Sequence, residues 1–179
     1  MADPAPSIPE PDARRRVLES VLDFPGLHVR AIARLLGASP SLVEYHAGQL
    51  LDAELITEAV HEGYRRFFPR PGPAGPSLAD CSLLALLREE IPLHVTLLVL
   101  EADRPLPHKA LAANVAVAKS TLSFHLAKMV EGGLIAKRSD GAYELVDAAR
   151  VAELLVRWRP DPHLLSTHFA LWLALYRRK

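Results

Sequence analysis

The sequence is poor in what several protein classes require. It holds one cysteine, Cys81. A single thiol excludes a disulfide within the chain, leaves no cysteine cluster for metal sensing, and suits a reducing compartment. Neither charge is in excess: Lys and Arg number 21, Asp and Glu also 21, among 179 residues. That balance gives no bulk support for a nucleic-acid partner, so any basic surface must be local. Long apolar runs are missing too. The most apolar stretch, Leu164 to Tyr176, falls short of the roughly 20 residues a membrane span needs. The N-terminal MADPAPSIPEPDARRR has no apolar core and reads as no signal peptide. A cytoplasmic, nucleoid-associated protein with no membrane partner is expected. There is no glycine-rich phosphate loop, no His-Glu-x-x-His and no Gly-x-Ser-x-Gly. Cys81 lies in an apolar segment without a nearby histidine, which favours packing over nucleophilic chemistry. His163 and His168 are five apart and share no helical face. The expectation is no enzyme, no cofactor and no metal.

What is present is ordinary globular composition, 50% hydrophobic and 23% charged, and a repeat. SLVEYHAGQLLDAELI, from Ser41 to Ile56, aligns without a gap on STLSFHLAKMVEGGLI, from Ser120 to Ile135. His46 meets His125, an offset of 79 residues. The same offset pairs Leu18 with Leu97, Leu27 with Leu106, Ala31 with Ala110, Leu55 with Leu134 and Tyr64 with Tyr143. A register held over that span is an internal duplication and predicts two small domains.

Taken in order, the proline-rich residues 1–11 read as a disordered arm. Arg14, Arg15 and Arg16 follow; a solvated first helical turn is favoured over an arm that reaches along DNA. Helices are predicted over Asp12–Asp23, with Val17, Leu18, Val21 and Leu22 inward, over His28–Leu36, and over Ser41–Ala53. Ser39 is the expected N-cap of the third, with Pro40 in its first turn. Strands over Leu55–Ala59 and Tyr64–Phe68 make a hairpin, so the first domain spans 12–68. Residues 69–77 form a Pro/Gly linker. A connecting helix, 78–90, is apolar on more than one side and is expected between domains or against another subunit. The second domain spans 91–146: helices over Pro92–Ala102, His108–Val115 and Lys119–Glu131, then strands over Leu134–Lys137 and Ala142–Leu145. Ser139-Asp140-Gly141 turns this hairpin, with Asp and Gly both expected at positive φ. Two C-terminal helices, Ala148–Trp158 and His163–Tyr176, occupy 147–179. The last carries Leu164, Leu165, Phe169, Trp172, Leu173 and Tyr176 and must be buried, on its own domain or, preferably, in a homodimer.

The order helix, helix, turn, helix, two-stranded wing is that of a winged helix-turn-helix. The fold class expected is mainly α with small β-wings (α+β): two tandem winged helix-turn-helix domains plus C-terminal helices. The stretches LGASPSLVEYHAGQLLDAELI and VAKSTLSFHLAKMVEGGLI resemble winged-helix transcriptional regulators of the ArsR/MarR type. The whole chain resembles the tandem regulators called ArsR-like. That resemblance implies sequence-specific binding of double-stranded DNA, commonly as a homodimer, with the third helix of each domain in the major groove and the wings on phosphates.

In Lys119–Glu131, Leu122, Leu126, Met129 and Val130 fall on one face. Lys119, Ser120, Thr121, Ser123, Phe124 and Lys128 point the other way, offering donors and acceptors to bases and phosphates. Lys137 and Arg138 on the second wing are expected on phosphates, with Arg65 and Arg66 as their first-wing counterparts. Ser41, Tyr45 and Gln49 are the first-domain candidates. Ser41–Ala53 has no Lys or Arg and carries Glu44 and Asp52, so the second domain is expected to do more of the reading. Tyr45 and Phe124 stack on sugars or thymine methyls, or fill a domain interface; the sequence does not choose. His46 and His125 read as half-buried packing beside the wing, not as a pH switch. The alternative reading, favoured by zero net charge and the bare first helix, is a protein-binding scaffold of tandem winged helices. An effector ligand is unknown.

Overall fold

The computed structural model describes residues 10–72 and 75–177. Residues 1–9 of the expected arm lie outside them, as do Pro73 and Ala74 of the expected linker. The architecture is mainly helical, α+β, with two small three-stranded antiparallel sheets. The chain divides between Cys81 and Ser82 into two compact units.

The first unit runs α1 (Glu10–Asp23), β1 (Leu27–His28), α2 (Val29–Leu36), α3 (Pro40–Asp52), β2 (Ile56–His61) and β3 (Tyr64–Pro69). Val17 and Val21 of α1, Ile32 of α2, Val43, Ala47 and Leu50 of α3, and Ile56 and Phe67 of the sheet make one buried core. Leu22, expected inward, is 45% exposed. Ser39 Oγ accepts from Leu42 N at 3.2 Å and Pro40 opens α3. Gly37, at φ 63°, ends α2 in the left-handed region that glycine adopts without steric cost.

The division falls inside α4 (Leu78–Leu87). The second unit continues with α5 (Glu90–Ala102), β4 (Leu106–Pro107), α6 (His108–Asn114), α7 (Lys119–Glu131), β5 (Ile135–Lys137), β6 (Ala142–Leu145), α8 (Ala148–Arg157) and α9 (Pro162–Arg177). Leu86 and Leu87 of α4 join Leu97, Leu111, Leu122, Leu126 and Met129 in its core, so the apolar sides of this helix serve the second unit. The connecting helix expected over 78–90 ends at Leu87, and the next, expected from Pro92, begins at Glu90; Arg88, between them, is drawn inward. It is 6% exposed and donates to the carbonyls of Arg159, at 2.7 Å, and Trp158, at 3.3 Å.

Both units follow the same order, and their sheets have the same topology, β1-β3-β2 and β4-β6-β5. The central strand is the last to form in sequence. Strands β1 and β4 were not anticipated; two residues are too few for alternation to register. The constant offset holds from α2 through β2, then fails in the hairpin. Leu27 pairs with Phe67, whereas Leu106 pairs with Tyr143. Ile56 pairs with Pro69, whereas Ile135 pairs with Leu145. Tyr143 therefore corresponds to Phe67 and not to Tyr64, because the second hairpin is shorter. Its turn also differs. Glu62 and Gly63, both at positive φ, close the first hairpin as a two-residue loop. In the second only Gly141 is at positive φ; Asp140 instead accepts from Ala142 N at 3.0 Å.

Helix α9 packs on its own unit. Leu164 lies in the core, and Leu171 and Trp172 rest against it. Leu165 and Leu173 are half-buried, Phe169 is 53% exposed, and the side chain of Tyr176 lies outside the described residues. The helix is kinked at His168, whose φ and ψ are −120° and 18°. That ring is buried and lies 4.3 Å from the ring of His94 on α5. Burial lowers the pKa of both; the neighbouring His168 lowers that of His94 further, and Glu90 opposes.

Candidate nucleic-acid interface

The second unit holds the cleaner candidate. From Arg104 to Val130 the chain carries Arg104, Lys109, Lys119 and Lys128 and no Asp or Glu. Lys119, Ser120, Thr121, Ser123 and Phe124 are exposed along the N-terminal half of α7, where Leu122 and Leu126 turn inward and anchor the helix. No side chain caps this helix at Ala118. Its first-turn N–H groups are therefore unclaimed by a cap and point where an anion is favoured. Arg104 and Lys109 are exposed cations of the same acid-free segment; sequence reading passed over them, although the absence of acids around them was visible.

Lys137 is exposed on β5, with its Nζ 5.9 Å from the centre of the Tyr143 ring. A groove of about 720 Å³ separates α7 from this hairpin. Ser123, Ala127, Val130 and Glu131 form one wall, Lys137, Gly141 and Tyr143 the other, and His108 Nε2 meets Ser123 Oγ at 3.1 Å. Arg138, also exposed, is already paired, with Glu144 at 3.0 Å and Asp140 at 3.5 Å. The hydrogen bond and charge of Glu144, then Asp140, raise its pKa. Both carboxylates reduce what this arginine offers a phosphate.

Lys128 departs from the sequence reading. Its side chain is only 9% exposed and its Nζ lies 2.5 Å from Glu89, which is 19% exposed. The position sits at the edge of the apolar face, late in α7, and the carboxylate at the start of α5 draws it inward. It is a structural ion pair.

The first unit arranges the same elements differently. Ser41 is exposed, and Tyr45 is 54% exposed. Gln49 Nε2 donates to the Tyr45 hydroxyl at 3.0 Å, while its Oε1 meets His46 Nδ1 at 3.2 Å, so Gln49 is engaged within its own helix. His46 is 1% exposed. Arg65 reaches across the hairpin groove to Glu44 of α3 at 2.5 Å and binds Glu58 at 2.6 Å. The Glu58 hydrogen bond leads in raising its pKa. Arg66 is buried, 3% exposed, and donates to the carbonyl of Gly26 at 2.9 Å. The expectation that Arg65 and Arg66 match Lys137 and Arg138 therefore fails: by strand register Glu58 occupies the Lys137 position, and the arginines lie on the return strand.

Among the described residues, no group of three or more His, Cys, Asp or Glu is placed to hold a metal, and no helix is long and apolar enough to cross a membrane. Burial, then the charge of Asp80, pushes the Cys81 thiol up to about 11, which keeps it protonated near neutrality. No family model matches the chain, and no curated protein matches it.

Proposed function

We propose that this chain is a sequence-specific, duplex-DNA-binding transcriptional regulator built from two tandem winged helix-turn-helix units, with the second unit as the principal reader. One observation carries the reading. The exposed Lys119-Ser120-Thr121 turn opens an uncapped helix inside an acid-free segment, and Ser123 of the same helix shares a groove with the cationic hairpin residue Lys137. Ammonium groups and helix N–H donors suit phosphates, and the hydroxyls of Ser120, Thr121 and Ser123 suit base edges. Helix α7 enters the major groove in this reading, and the β5–β6 hairpin lies on the backbone. A homodimer would supply the second half-site, with exposed Phe169 on α9 as the candidate contact; Leu164 and Trp172 are already taken by the unit's own core.

A second reading applies to the first unit. Its hairpin arginines, Arg65 and Arg66, are engaged, while Leu55 is 50%, Val60 71% and Tyr64 53% exposed. An apolar surface with internally neutralised charge suits a protein partner better than a phosphate backbone.

Selection of genomic fragments on the purified protein near physiological salt tests the proposal. Enrichment of a few fragments sharing a palindromic motif is the expected result, with half-site spacing set by the dimer. Retention only at low salt, with no shared motif, would overturn sequence-specific regulation and move the reading to a protein-binding scaffold.

A further inference from the structure

Phe124 is an anomaly on its own helix. It is 62% exposed in the middle of a face otherwise made of Lys119, Ser120, Thr121 and Ser123. Covering a phenylalanine is worth about 1.5–3 kcal/mol, and this ring forgoes much of that in the free protein. A tyrosine would keep a polar handle for water, and the matching residue of the first unit is one: Tyr45, whose hydroxyl accepts from Gln49. Phe124 has no such handle. Its ring stands edge-on to His125, with centroids 5.4 Å apart and planes at 81°.

Resting on the DNA-binding reading above, we infer that Phe124 reads thymine through its C5 methyl group and so sets the sequence preference of the second unit. The chemistry of the major groove leaves few alternatives. Its edges present hydrogen-bond donors and acceptors at every base pair, and one apolar group, the thymine methyl. Among the base edges, an aromatic ring carried among hydroxyls gains most from that group. The hydroxyls of Ser120 and Thr121 accept and donate indiscriminately, and the Thr121 methyl is small, so Phe124 is the largest apolar group this face offers the thymine methyl. The ligand class is duplex DNA with thymine, or another 5-methylpyrimidine, facing Phe124.

The test uses the full chain and an enriched genomic fragment amplified with dTTP or with dUTP. The two duplexes pair identically and differ in the methyl. Wild type is expected to bind the uracil duplex about fourfold more weakly, the value of one buried methyl. Phe124→Ala is expected to bind the thymine duplex more weakly and to lose most of the preference. Phe124→Leu, still apolar, is expected to keep part of the preference. Equal binding of both duplexes by wild type would overturn the inference, as would an unchanged fourfold preference in Phe124→Ala. Either result leaves DNA binding itself intact. Failure to bind any duplex would instead bring down the DNA-binding reading, and the inference with it.

Discussion

The two units share element order and sheet topology but differ in what they do with charge. In the first, Glu44 faces the hairpin and captures Arg65, which Glu58 also holds. In the second, Ser123 stands where Glu44 stands and Lys137 stands where Glu58 stands. Those two exchanges turn a groove bridged by an ion pair into one lined by the Ser123 hydroxyl, which His108 meets, and the Lys137 ammonium. The same scaffold is thus compatible with a self-neutralised surface and a cationic one. A net charge of zero over the chain hides both.

The largest expected effect comes from removing the cations of the second unit. Lys119→Ala with Lys137→Ala is expected to weaken duplex binding about thirtyfold near physiological salt, and to flatten log K against log salt by about two, since each phosphate contact contributes close to one. Arg65→Ala in the first unit is the control and should leave the slope alone. A slope unchanged in the double variant, or one lost in Arg65→Ala, would reverse the assignment of the units.

Lys128 separates position on a motif from exposure. Lys128→Ala is expected to cost about 2 kcal/mol of stability in urea unfolding, because it removes the ammonium paired with the largely buried Glu89, and to leave the salt slope unchanged. A stable variant with a flattened slope would restore Lys128 to the DNA face.

The comparison is sharpened by transplanting one surface onto the other. Glu44→Ser with Glu58→Lys gives the first unit the residues of the second and releases Arg65. Exposed ion pairs of this kind contribute about 0–1 kcal/mol, so folding should survive. Duplex affinity is expected to rise about fivefold, with a steeper salt dependence. An unchanged affinity would mean that the first unit faces no DNA at all, which is the outcome the protein-partner reading requires.

Packing at the ends of α3 and α7 shows a smaller difference. Gly132 occupies the place of Ala53, and a Cβ there would meet Leu86 Cδ1 at 2.6 Å and the Lys128 carbonyl at 3.3 Å. Leu86 belongs to α4, an addition that has no counterpart in the first unit. Gly132→Ala is expected to lower the melting stability by about 1 kcal/mol as the buried leucine shifts. No loss would mean that Leu86 yields freely.

These differences explain what was legible. Helix positions followed from apolar periodicity, and α7 was placed to the residue, because Leu122, Leu126 and Met129 have no competing arrangement. The exposure of Lys119, Ser120, Thr121, Ser123 and Phe124 followed from the same periodicity. Lys128 and Arg66 did not, since a long cationic side chain is polar in sequence whether it reaches solvent or a buried oxygen. The partners that decide, Glu89 and the Gly26 carbonyl, are 39 and 40 residues away. The hairpin register was misread for a related reason. Tyr64 and Tyr143 match by offset, but the loop that closes each hairpin sets the pairing, and the loops differ in length.

The smallest expected effect concerns the residue after each of these helices. Glu54 and Gly133 are equivalent, and both adopt positive φ, 55° and 70°. A glutamate in that region strains against its own Cβ, by about 1–2 kcal/mol, whereas glycine does not. Part of that gain is offset by the entropy glycine loses on folding, about 0.5–1 kcal/mol. The Glu54 pair with Arg70, at 3.0 Å, is highly exposed, and its loss matters little. Glu54→Gly is therefore expected to stabilise the first unit by about 0.5 kcal/mol and to leave duplex binding unchanged, as read by thermal melting and by titration of the same fragment. A destabilised Glu54→Gly would mean that the carboxylate does more for the first unit than its exposed pairing accounts for, and that the two helix ends are alike in backbone only.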